Sequence, residues 1–174
     1  MQKAKIFFIA VFTLFAFLCL ITVFLPSGIT ISRSILIDAK VNKVAVQIED
    51  FKNWKNWYPA FQNKNTRLYT SQRNDTSFAV LTDEKQQRLS LVLLQSVSRS
   101  IEVLVLKDNQ NRQTYQFVLL PNAEGQTLLT WNVNITLAPY PWKKISGIFL
   151  DKISGPQYEA ALLKLKRAVE NTTH

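Results

Sequence analysis

The sequence predicts an α+β architecture: a curved antiparallel sheet wrapped around a long C-terminal helix, preceded by one N-terminal transmembrane helix. Three observations predict it. An uncharged apolar run occupies Ile6 to Leu25, a series of β-rich segments fills residues 66–136, and "PQYEAALLKLKRAVE" near the C-terminus carries an apolar stripe at helical spacing.

The first element is "IFFIAVFTLFAFLCLITVFL", whose only polar residues are two threonines and one cysteine. A helix of that length spans about 30 Å, the thickness of a bilayer's hydrocarbon core. A cleaved signal peptide has a shorter apolar region and a small-residue cleavage site. A lipoprotein signal needs a small residue before its cysteine, whereas Leu18 precedes Cys19. An uncleaved anchor over residues 1–28 is the expectation. Lys3 and Lys5 precede the run, which predicts a cytoplasmic N-terminus with residues 29–174 on the outer, periplasmic or extracellular side.

After the anchor, "ITISRSILI" alternates as a strand does. Ile29, Ile31, Ile35 and Ile37 share one face, interrupted by Arg33. Snorkelling of Arg33 at the sheet edge is expected, with the grip of an anionic headgroup as the alternative. The period then shifts: Val41, Val44, Ile48 and Phe51 mark a helix, with Asp38 its expected N-cap. Phe51, Trp54, Trp57 and Phe61 continue the spacing into a second short helix limited by Pro59, which biases Tyr58 out of it. Strand-like segments follow, divided by short polar breaks that suit a meander. Tyr115, Phe117 and Leu119 share one face, as do Leu129, Trp131, Val133 and Ile135; both sets are expected to face inward. Two amphipathic helical pieces close the chain, with the break expected at Gly155–Pro156.

Composition removes several chemistries. Cys19 is the only cysteine and lies in the apolar run, and the only histidine is His174. Ser-His-Asp and Cys-His catalysis and His- or Cys-based metal sites are therefore excluded. Gly28, Gly125, Gly147 and Gly155 are too scattered for a phosphate loop. No cofactor and no metal are expected. The net charge is +9, with "KKISGIFLDK" and "KLKR" the tightest basic clusters. Such a surface is either solvated or drawn to anionic headgroups.

Four stretches carry a resemblance. They are "LPSGITISRSILIDA", the Asp50/Trp54/Trp57 pattern in "VNKVAVQIEDFKNWKNWYPAF", "FVLLPNAEGQTLLTWNV", and "GPQYEAALLKLKRAVE". In order and spacing the chain resembles the START-like helix-grip (SRPBCC) superfamily, most of all its membrane-anchored polyketide cyclase/dehydrase-type bacterial members. It departs from them at Lys40-Val41-Asn42, where many relatives have a proline-containing turn, and at Gln126, which intervenes between Gly125 and Thr127. The resemblance covers nearly the whole chain and implies a helix-grip domain over 29–174 with a cavity between sheet and C-terminal helix. It does not imply a reaction, because that superfamily includes carriers, cyclases and hydrolase-like members.

The candidates to line such a cavity are Trp54, Trp57, Phe78, Tyr115, Phe117, Trp131, Val133, Tyr158 and Leu162. Each has a plainer alternative in core packing. For Trp54 and Trp57 the choices are a hydrophobic plug, a pocket mouth, or a foot on the bilayer. Nucleic-acid stacking needs exposed rings along a basic groove, so no nucleic-acid partner is expected. Asp50, Glu102 and Asp151 are expected at the surface, and no catalytic residue is assigned. The leading expectation is a membrane-tethered module binding a hydrophobic or lipid-like small molecule. The alternatives are a cyclase- or dehydratase-type enzyme using tyrosine or carboxylate chemistry, and a membrane-surface interaction module with a vestigial cavity.

Overall fold

The computed structural model describes residues 2–62, 66–73, 76–83, 86–97, 99–108 and 111–171; His174 lies outside the described residues. The chain runs α1 (Gln2–Phe24), β1 (Gly28–Ile37), α2 (Val41–Glu49), a 3-10 helix (Phe51–Asn56) and a 3-10 turn (Pro59–Phe61). It continues through β2 (Arg67–Arg73), β3 (Thr76–Thr82), β4 (Arg88–Val97), β5 (Ser100–Lys107), β6 (Asn111–Pro121) and β7 (Thr127–Thr136). Two helices close it, α3 (Pro141–Ile148) and α4 (Leu150–Glu170).

The seven strands form one antiparallel sheet in the order β1-β7-β6-β5-β4-β3-β2. Alternation gives each strand an inner and an outer row. On the inner side, register places Val103 opposite Tyr115, Tyr115 opposite Val133, and Phe117 opposite Trp131. On the outer side, Thr30 and Ser32 donate to Asn134 and Asn132 at 2.7 Å. α4 crosses the inner side over β1, burying Ala161, Leu162, Leu165 and Val169. The fold is a helix-grip α+β fold, as the alternation of the strands and the stripe of α4 lead one to expect.

None of the described side chains of α1 is buried, and the helix is long and apolar enough to cross a membrane. It meets the rest of the chain at α3.

Four local expectations are corrected. Asp38 does not cap α2; Lys40 occupies the N-cap without a side-chain bond. The chain first turns through Ala39, whose carbonyl accepts from Thr127 Oγ1 at 2.6 Å, and this delays the helix. The second short helix is two 3-10 pieces, because Tyr58 (φ −86°, ψ 122°) is extended ahead of Pro59. The C-terminal break falls at Phe149, and α4 runs through Pro156. Proline clashes with the Cβ of a helical residue before it, and Gly155 has none. Arg33 does not snorkel at the sheet edge. It reaches across α4 to Asp151 at 2.9 Å and Glu159 at 2.7 Å.

That clamp explains Gly155. Residues 151, 155 and 159 recur every four positions and so share one helical face. A Cβ on Gly155 would collide with the Arg33 guanidinium. Burial pulls the Arg33 pKa down, but the bond to Glu159 and the charge of Asp151 outweigh it and the net shift is upward.

Candidate functional site

The inner side of the sheet divides into a packed half and an open half. Spacing by three is the repeat of a 3-10 helix, so Phe51, Trp54 and Trp57 align on one face. Trp54 and Trp57 are fully buried, with rings 4.7 Å apart. Their indoles donate to the carbonyls of Ile48 (2.7 Å) and Gln47 (3.2 Å). Phe117 stacks on Trp131 at 5.1 Å, and Trp57 meets Trp131 edge-on at 5.9 Å. Trp131 Nε1 is buried with no hydrogen-bond partner among the described residues. Val133 and Leu162 complete this packed half and are buried.

The open half is a cleft of about 520 Å³ between the N-terminal part of α4, the segment around Tyr58, and strands β3 to β6. Leu81, Leu89 and Val105 form its apolar floor; Asp83, Arg88, Lys107, Gln113 and Gln157 give it a polar rim. Tyr58, Tyr115 and Tyr158 stand between the two halves and line the cleft.

The three phenols form one group. The Tyr58 and Tyr115 hydroxyls lie 2.9 Å apart, and Tyr115 donates to Gln113 Oε1 at 3.1 Å. A hydroxyl has one proton, so Tyr58 is the donor to Tyr115. The Tyr158 ring stands edge-on to Tyr115 at 6.3 Å. Burial pushes Tyr58 up to about 12, against a smaller lowering by its bond to Tyr115. Burial, then the charge each neighbouring phenol would carry, pushes Tyr115 well above the ordinary tyrosine value. Burial also raises Tyr158. All three remain neutral around pH 7; the protons of Tyr115 and Tyr58 are taken up by Gln113 and Tyr115.

The sequence candidates thus separate. Tyr115 and Tyr158 line the cleft, while Trp54, Trp57, Phe117, Trp131, Val133 and Leu162 pack beside it. Phe78 alternates with the buried Ala79 and lies elsewhere, in a groove of about 530 Å³ with Glu49, Lys52 and Gln72. Tyr58 and Gln113 were not among the candidates. The signal for Tyr58 was present, since a residue held extended before proline leaves the face of its neighbours. Asp50 serves as a cap, accepting from Lys52 N at 2.9 Å. Asp83 Oδ1 accepts from Gln87 N at 2.8 Å. No group of residues able to hold a metal ion occurs among the described residues.

No protein-family model and no curated protein matches the sequence. Solved structures do match the fold. The Zhui aromatase/cyclase from Streptomyces sp. R1128 superposes with a TM-score of 0.64 at 10% identity, over 84% of this chain and 96% of that one. A START superfamily protein from Mycobacterium smegmatis gives 0.61 at 16% identity, over 82% and 98%. The di-domain ARO/CYC StfQ from the steffimycin biosynthetic pathway gives 0.64 at 13%, over 84% of this chain and 52% of that one. With a seven-stranded antiparallel sheet closed by α4 and these structural neighbours, the chain has the START-like helix-grip fold.

Proposed function

We propose that the chain is a membrane-tethered module whose cleft holds a hydrophobic or amphipathic small molecule. The observation that carries this reading is the cleft itself. Its volume of about 520 Å³ is ample for a small ligand, its floor is apolar, and neutral phenols stand at its inner end. Apolar burial would supply affinity, and the Tyr158 hydroxyl would orient a ligand oxygen. The structural neighbours include aromatase/cyclases, which favours an aromatic or polycyclic ligand over a long acyl chain.

The same phenols weigh against catalysis. General acid–base groups work best with a pKa near the working pH, and Tyr58 lies at about 12. The tether would be α1, spanning the bilayer with Lys3 and Lys5 on the cytoplasmic side and the rest of the chain outside.

Native mass spectrometry of the full chain released from nanodiscs tests the cleft. The parent is expected to carry a bound small molecule that Gln157→Trp, a substitution at an exposed rim position, excludes. A parent without bound mass, or equal occupancy in the variant, would overturn the reading.

A further inference from the structure

Trp142, Ile145, Phe149 and Ile153 recur at spacings of three, four and four, the repeat of one helical face. Phe149 has αR backbone, and the bonds from Phe149 N to Ser146 O and from Ile153 N to Phe149 O carry the stripe across the break between α3 and α4. An apolar stripe on such a helix normally faces the core. Here it faces out: the four residues are 59%, 37%, 56% and 67% exposed. Tyr140, also exposed, stacks flat on Trp142 at 5.2 Å.

The patch is held firmly in that position. A Cβ on Gly147 would come within 2.5 Å of Leu137 and 2.6 Å of Ile29, so α3 lies tight on the end of the sheet formed by β1 and β7. Its other neighbour is the end of α1, where Lys144 Nζ donates to the Leu25 carbonyl at 2.9 Å. Lys143 and Lys152 flank the stripe and are exposed. Between Tyr140 and Ser154 the only acid is Asp151, which Arg33 engages.

We propose that this face of α3 and the first turn of α4 seats on the lipid surface of the leaflet from which α1 emerges. Trp142 and Tyr140 lie at headgroup level, and Lys143 and Lys152 meet anionic lipid phosphates. Tryptophan and tyrosine favour that interface, and basic residues near an anionic surface add electrostatic attraction. The proposal rests on α1 crossing the membrane, which fixes where the leaflet begins. It also deepens the reading of the cleft: Ile153 belongs to the seat while Ser154 lines the cleft, so a ligand dissolved in the leaflet has a short path in.

The test uses the full chain in vesicles of phosphatidylcholine and phosphatidylglycerol, with a brominated phosphatidylcholine as fluorescence quencher. Trp54, Trp57 and Trp131 are buried, so Trp142 is the ring that lipid can reach. The brominated lipid is expected to quench the parent, and Trp142→Phe, with an unchanged circular dichroism spectrum, is expected to lose that quenching. A Lys143→Glu/Lys152→Glu variant should be quenched less. If alkaline carbonate leaves the chain in the vesicles but only aqueous iodide quenches Trp142, the seat is overturned while the anchor stands. Extraction of the chain by carbonate would overturn the anchor, and the seat with it.

Discussion

Trp131 and Trp54 sit in one ring cage and differ by a hydrogen bond. Trp54 Nε1 donates to Ile48 O, whereas Trp131 Nε1 is buried without a partner among the described residues. Replacement by phenylalanine removes similar volume at both sites, but at Trp54 it leaves a carbonyl unsatisfied and at Trp131 it removes an unsatisfied donor. Trp131→Phe should therefore cost about 1 kcal/mol less than Trp54→Phe, as read from chemical denaturation midpoints of the detergent-solubilised chain. Equal costs would mean that Trp131 Nε1 has a partner such as a bound water. The burial of both rings follows from residue spacing; the missing bond depends on what lies beside one nitrogen, and spacing carries no information on that.

Beside the buried apolar stripe of α4, one long side chain from the sheet passes over a glycine to clamp the helix. Gly155→Ala removes the notch and displaces Arg33 from Asp151 and Glu159, partners that are themselves more than half exposed. Such pairs contribute up to about 1 kcal/mol. Alanine in place of glycine within a helix returns about the same amount, which the clash of its Cβ with Pro156 offsets. The single substitution should thus destabilise by up to about 1 kcal/mol, while Gly155→Ala in an Arg33→Ala background, where no clamp is left to lose, should be close to neutral. A double-mutant cycle on thermal unfolding measures the difference. The elements themselves are visible in the sequence wherever a period is strong: two in β1, β6 and β7, three in the tryptophan segment, three and four in α4. Pro156 misleads because the cost of a proline in a helix depends on the residue before it. Arg33 misleads because its partners lie far along the chain, at positions that only the crossing of α4 over β1 brings near. The cleft is hidden for the same reason. Inward-facing residues announce themselves by alternation, but whether they fill the interior or leave a space depends on how α4 and the Tyr58 segment settle on the sheet.

The phenols couple the site to the stability of the whole molecule. An unfolded tyrosine ionises near pH 10. Tyr58 in the folded chain does so at about 12, and Tyr115 is also raised. Between those values the unfolded state has already released protons that the native state still holds, so rising pH favours unfolding. Stability should be flat up to about pH 10 and fall from there toward 12, with a shallower fall in Tyr58→Phe; denaturation midpoints across that range check it. A decline beginning well below 10 would contradict the assignment. Only Leu25, Pro26 and Ser27 lie between α1 and β1, a strap whose reach is on the order of 10 Å. With α1 in a bilayer, this protein is moored, not a ferry. On the function proposed above, it would sample a ligand only from its own shore, and any onward delivery would require the recipient to come alongside.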